Sequence, residues 1–421
     1  MIPMLWYYPS QMPRGESIPC ATTTPILDSA VLPKPNRKKK IVGALWGLLL
    51  GFLFAAVLIR EDQVAARNRA SDFMILFYFG VILCVIVVHE CGHLLAGWLV
   101  GFRFSRIAIG PFCLKIEHGK LKVEARGRLT GAAGYAGMHV NKVRRLRHRL
   151  LVFTAGGPAA NLLAAAAIGA VLAYSPLGSL NNWVSLPAAL FAQISLIIGL
   201  VNLIPFSVGA LFSDGARMAI LYRSRPRARR WISVAALGDQ TRQGVRPKQL
   251  KRTWLNAASS VHDGSVDDFA GNWLAYAAAS DRKDDDAAAL HLERCLELMH
   301  LLGPSMQTLA SLEAAVFTAW SRRNAELAQT WVDRVKSPKT ITPLQRMRVD
   351  VALLCGQEQF DLALSRSQEG AAFIAKLPLS PTQNRLHEGW AEWQEEIRQR
   401  RKEKIAHTPS LALQQNSVVG T

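Results

Sequence analysis

The sequence predicts a mainly α-helical protein in two parts: a polytopic membrane helix bundle of about four spans with a small cytoplasmic β-hairpin insertion, then a soluble α-helical repeat domain. Three observations carry this. Half of the 421 residues are hydrophobic, but they are concentrated in four runs before residue 210, each long enough to cross the roughly 30 Å hydrocarbon core of a bilayer. The net charge of +19 has its clearest clusters beside those runs, at Arg37 to Lys40, Lys142 to Arg149 and Arg223 to Arg230. Beyond residue 245 apolar residues recur at helical spacing among charged ones, as in soluble amphipathic helices. Basic clusters flanking apolar runs are what membrane topology requires, so no nucleic-acid partner is expected. Cys20, Cys84, Cys91, Cys113, Cys295 and Cys355 show no C-x-x-C spacing, which predicts neither a disulfide framework nor a second metal site.

In chain order, residues 1–36 are rich in Pro, Thr and Ser without periodicity and read as a disordered tail. The membrane domain spans 37–230. Its first span, about 41–60, follows the basic cluster, which keeps the N-terminus in the cytoplasm. The second, about 73–100, returns inward and brings His89 and His93 close to the inner face. From Arg103 to Arg149 there are twelve Lys or Arg against two Glu, which holds this loop inside. Within it Phe112, Leu114 and Ile116, a His118-Gly119 turn, then Leu121, Val123 and Ala125 alternate with charged residues, predicting a β-hairpin with one apolar face. The glycine-rich stretch Gly131 to Met138 is either a strand edge able to hold an unwound peptide by main-chain pairing or a flexible linker. The third span, about 150–174, carries Gly156-Gly157-Pro158 and Asn161; the small residues suit close helix packing in lipid. The fourth, about 186–206, ends in Asn202-Leu203-Ile204-Pro205, after which comes Ser213-Asp214-Gly215. All three basic clusters agree with a multi-pass protein whose two termini are cytoplasmic; in a bacterium the membrane would be the cell (inner) membrane.

From 245 to 400 helical hairpins can be drawn at about 266–302, 304–336 and 342–377, a spacing of about 34 to 38 residues like that of tetratricopeptide-type repeats. A plain helical bundle is the alternative. Helical repeats commonly present concave peptide-binding surfaces, so a protein partner is expected here. Residues 401–421 read as a disordered tail.

The chemistry is concentrated in His89-Glu90-Cys91-Gly92-His93, which puts three ionisable side chains in an apolar run. Such groups are costly at bilayer depth unless a partner or a metal replaces their water. Histidines four apart lie one turn above each other on a helix and can hold one zinc ion, Zn2+, with the Glu beside its water as the base. A catalytic zinc needs a third protein ligand. Asp214 is the first acidic residue after Glu124, and it follows a span ending on the side of the histidines. Either Ser213 or Asp214 could instead serve as the N-cap of a helix from Ala216. Asn161 or Asn202 could donate to a developing oxyanion, or simply bridge helices.

Together, His89-Glu90-x-x-His93, a β-containing cytoplasmic segment, Gly156-Gly157-Pro158-x-x-Asn161, Asn202-x-x-Pro205 and Asp214-Gly215 resemble the site-2 protease family of intramembrane zinc metalloproteases. The resemblance covers roughly residues 73 to 220. It implies an endopeptidase that cuts membrane-embedded segments of single-span proteins, with His89, His93 and Asp214 as zinc ligands and Glu90 as the catalytic base. One departure is an insertion, Phe206 to Ser213, about four residues beyond the family's usual Asn-to-Asp interval, which could displace Asp214. A membrane metalloprotease using a downstream Glu as third ligand leaves Asp214 unexplained. A catalytically inactive scaffold, binding partners through its repeats, leaves the intact motif unexplained.

Overall fold

The computed structural model describes residues 25–32, 71–117, 120–125, 134–141, 143–174, 182–208, 211–335 and 338–407. The expected first span, about 41–60, lies outside these residues. Helix α1 (Ile26–Ser29) is a single turn. Helix α2 (Ser71–Leu99) carries the histidine motif, and its residues from Phe77 form the first of three helices among the described residues long and apolar enough to cross a membrane. The others lie in α3 (Leu146–Tyr174) and in Val184–Leu203 of α4 (Asn182–Leu203). Where Val81 and Val85 meet Leu190 and Ile194, α2 and α4 form an apolar seam, while Leu95, Trp98, Leu163 and Val171 stay exposed. Outward-facing apolar residues on long helices are what a lipid solvent selects.

Between α2 and α3 the chain forms more than the expected hairpin. Strands β1 (Arg103–Ile109), β2 (Phe112–Glu117), β3 (Lys120–Ala125) and β4 (Gly134–His139) make one antiparallel sheet in the order β3-β2-β1-β4. The predicted pair is present in the expected register, Leu114 opposite Val123 and Ile116 opposite Leu121. Its apolar face is exposed at Phe112, Ile116, Leu121 and Val123. Strand β1 escapes a periodicity search because Arg103 and Arg106 interrupt its apolar alternation. The glycine-rich stretch is a strand from Gly134 onward; residues 131–133 lie outside the described residues.

After α4 the chain makes a small hairpin of β5 (Ser207–Val208) and β6 (Leu211–Phe212), then α5 (Asp214–Arg223) and α6 (Arg225–Arg242). Helix α6 crosses the expected domain boundary. Its Leu237 is fully buried and packs with Leu250, with Leu255 and Ala258 of α7 (Arg252–Ser259) and with Ala278 of α8 (Val266–Asp281). Ion-paired arginines fasten this junction, among them Arg227, which reaches Asp263 at 3.0 Å. Arg230, 1% exposed, holds Asp263 at 2.9 Å, and Arg217 of α5 pairs with Asp267 in the first turn of α8.

The helical region then runs through α8 paired with α9 (Asp285–Leu298), α10 (Pro304–Trp320) with α11 (Ala325–Asp333), and α12 (Pro343–Gly356) with α13 (Phe360–Ala375). These bounds follow the hairpins drawn from sequence. Their starts have a local cause: Ser265, Asp284, Asn324 and Thr342 each accept the amide three residues on, which satisfies an otherwise orphaned helix donor. Each hairpin turns through one left-handed residue, Lys283, Arg323 and Glu358 in turn. Helix α14 (Pro381–His407) extends past the expected end of the domain at residue 400.

At the other terminus, residues 25–32 are not the loose chain expected. Leu27 and Ala30 are buried in the helical region's own core, because an apolar pair three residues apart lies on one face of a turn and finds cover there.

Candidate metal centre

His89 and His93 lie on successive turns of α2, each under a tenth exposed. Their Nε2 atoms are 3.2 Å apart. From α5, Asp214 Oδ2 approaches His89 Nε2 at 3.1 Å and its Oδ1 approaches His93 Nε2 at 3.4 Å. One ligand atom from each of the three residues lies within 4.8 Å of the others. A tetrahedral zinc with bonds of roughly 2.0–2.1 Å sets its ligands roughly 3.3–3.4 Å apart, so the spacing fits this ion.

The outer nitrogens decide whether the inner ones are free to bind metal. His93 Nδ1 lies 2.8 Å from the Phe153 carbonyl and 3.3 Å from the Gly157 amide. The shorter contact is to an acceptor, so Nδ1 carries the proton and Nε2 presents its lone pair. His89 Nδ1 faces the Asn161 side-chain amide at 3.1 Å. That contact is drawn to Nδ2, while the fully buried Asn161 Oδ1 has no partner. The amide's ends are interchangeable in shape, and with Oδ1 toward His89 it accepts from Nδ1–H and satisfies the orphaned oxygen. Both histidines then offer Nε2 lone pairs beside a carboxylate, and three acceptors converging on one point suit a cation. Asn161 therefore sits behind His89 as an orienting group. Asn202 is not brought to this cluster; its Nδ2 donates to Ile198 O of its own helix at 3.1 Å.

The two glycines of α3 have different uses. A Cβ on Gly156 would lie 2.5 Å from Gly92 O, and one on Gly92 2.4 Å from Gly156 O, so this pair is the close crossing of α2 and α3. A Cβ on Gly157 would instead meet His93 Nε2 at 2.3 Å and His89 Nε2 at 2.7 Å. Gly157 keeps space open at the metal-facing nitrogens.

Asp214 owes its position to its neighbours. Ser213 is the N-cap of α5: its Oγ accepts from Ala216 N at 3.1 Å and Phe206 N at 3.1 Å and donates to Ile204 O at 2.7 Å. With capping done by Ser213, the Asp214 carboxylate is left for the histidines. The insertion that threatened to displace it loops out as the β5-β6 hairpin, closed by Ser213 N to Phe206 O at 3.0 Å. Gly215 admits the Leu203 carbonyl, which would lie 2.0 Å from a Cβ there.

Glu90, 7% exposed, points to the other side. Its carboxylate accepts the Ala136 amide of β4, and a Cβ on Gly134 would lie 2.3 Å from its Oε1. Among the described residues strand β4 pairs with β1 alone and ends the sheet.

The model of peptidase family M50, the site-2 protease family, matches residues 77–185. The matched stretch holds the histidine motif, the sheet and Asn161, and stops short of Asp214. No curated protein and no solved structure matches the chain. Family M50 peptidases are generally zinc-dependent, which agrees with the donor set assembled here. Sequence reasoning placed Ala136 in a candidate strand edge without its contact to Glu90 and missed Phe153, whose carbonyl touches His93 through a backbone group that no side-chain pattern reveals.

Proposed function

We propose that the chain is an intramembrane zinc metalloendopeptidase cutting membrane-embedded segments of single-span proteins. The observation that carries this is the convergence of His89, His93 and Asp214, from α2 and α5, beside a buried Glu90 that touches β4. Zinc, when bound, supplies a Lewis acid that acidifies water and polarises a carbonyl. His89, His93 and Asp214 would hold it, with Asn161 and the Phe153 carbonyl fixing the imidazoles. Glu90 takes the proton of the attacking water and delivers it to the leaving amine. A transmembrane helix hides its carbonyls in internal hydrogen bonds, so the substrate must unwind first. The edge of β4 away from β1, unpaired among the described residues, suits an extended segment, because main-chain pairing is tolerant of sequence and would run the peptide past Glu90. Asn161, committed to His89, is better suited to orienting than to oxyanion binding.

The membrane topology is part of the same reading. The segment before the first apolar run packs on the helical region that follows the last one, which supports cytoplasmic placement of both termini. The three hairpins share a turn geometry, which supports a repeat array presenting a surface to a protein partner.

The experiment compares wild type with Glu90→Gln in cells, reading new N-termini of single-span membrane proteins alongside zinc content of the purified chains. Retained zinc with loss of a defined set of cuts supports the mechanism. Unchanged cuts in Glu90→Gln would sink it.

A further inference from the structure

The turn formed by residues 25–32 is seated in the helical region as a ligand is seated in a receptor. Ile26 and Leu27 donate their amides to the two oxygens of Glu293 on α9, the Leu27 contact at 2.9 Å. Trp331 of α11, fully buried, donates its indole N–H to the Leu27 carbonyl at 3.3 Å. Three backbone groups of the segment are thus read by side chains more than 260 residues away in the chain. Two side chains are enclosed, Leu27 at 5% and Ala30 at 0% exposure, with Ile26 and Leu32 packed half-buried against the same core. Asp28 and Val31 face outward. Ala30 ends the turn at φ 51°, with its amide on Ile26 O at 2.8 Å, and Ser29 Oγ returns to Pro25 O at 3.0 Å. The turn is therefore closed internally, and the groove reads its shape at few points. Burial pushes the Glu293 carboxyl up, and the two amides of the segment oppose that.

We propose that the groove between α9 and α11 is a peptide-binding site whose resident ligand is residues 25–32 of the same chain. Its recognition pattern is a proline-led turn with Leu and Ala three apart and free amides at the two positions after the proline. Backbone capture by a carboxylate and an indole makes the rest of the sequence permissive, as in other main-chain recognition modes. The consequence is a clasp. The segment leads into the first apolar run, and the groove belongs to the region that grips α5 through Arg217 and Asp267. A partner segment of the same pattern would release that clasp by competition.

The test uses the full-length chain in detergent and a fluorescein-labelled peptide of residues 24–33, read by anisotropy. In the intact chain the tethered segment competes at an effective concentration in the millimolar range, so the added peptide binds weakly. Leu27→Asp empties the groove, and binding should tighten at least tenfold. Adding Glu293→Ala to Leu27→Asp should remove that gain, and a peptide carrying the same Leu27→Asp change should not bind. Circular dichroism checks that the helical content is unchanged. If Leu27→Asp unfolds the region, Ile26→Pro removes one captured amide without adding a charge and should also tighten peptide binding. Equal binding by the intact and emptied chains, or binding indifferent to Glu293, overturns the proposal. A particle mass that halves on emptying the groove would move the occupant to a second copy and overturn the intramolecular assignment.

Discussion

Two neighbouring substitutions separate metal ligation from helix capping, because the structure divides these jobs between Ser213 and Asp214. Asp214→Asn keeps the shape of the side chain and the Ser213 cap. On the fold its cost is confined to the first turn of α5, where a carboxylate contributes about 0.3–1 kcal/mol through the helix dipole. On the metal it removes the only anionic ligand of the three. Even groups behind a metal's ligands change affinity 10- to 100-fold, so a direct ligand should cost at least about 100-fold, or about 2.7 kcal/mol. Ser213→Ala has the opposite signature. It removes the cap, worth about 1 kcal/mol, and takes one buried partner from Ile204 O at 2.7 Å, worth about 1–3 kcal/mol. A stability loss on the order of 3 kcal/mol is expected, with zinc still bound at saturation. Competition against a chromophoric chelator reads the affinity, and thermal unfolding of the metal-free chain reads the stability. Zinc affinity in Asp214→Asn within threefold of wild type would refute the assignment, as would loss of metal from Ser213→Ala alone.

Gly157→Ala places a methyl at 2.3 Å from His93 Nε2 and should abolish zinc binding; metal content by elemental analysis checks this. Ala136→Pro removes the amide given to Glu90 and blocks pairing on β4, so cleavage should stop while zinc stays bound, and normal turnover would exclude the strand-edge reading. A soluble fragment beginning at residue 224 should melt higher than one beginning at 245, since only the first retains the fully buried Leu237; both should be strongly helical by circular dichroism. Hydrogen bonds from Arg246 and Lys248 pull Glu392 from 4.5 down to about 2. A depressed folded value means that this contribution is complete above pH 4.5 and fades as pH falls through about 2. Glu392 is 50% exposed, so the effect stays below about 1 kcal/mol, and Glu392→Gln should flatten the acid limb of the stability curve by that amount.

What the sequence determined by itself is what short-range periodicity encodes. The spans of α2, α3 and α4 were legible as apolar runs of bilayer length, and the β2-β3 pair and the helix pairs from Val266 to Ala375 because each repeats its apolar residues at the period of its own backbone. Half of the site was legible for the same reason: a helix alone brings His89 and His93 together. The sequence also marked Asp214 as the available carboxylate, without showing that Ser213 would take the cap or that the insertion would fold away as a hairpin. Tertiary structure decided the rest. Gly156 and Gly157 are adjacent and alike in sequence, yet one touches a helix backbone and the other two imidazoles, because 100° of helix rotation turns them to different neighbours. Asn161 and Asn202 were equal candidates, and only the packing of α3 against α2 gave Asn161 a histidine. Residues 25–32 read as loose chain because their order comes from Glu293 and Trp331, and no local pattern can announce contacts made across that distance in sequence.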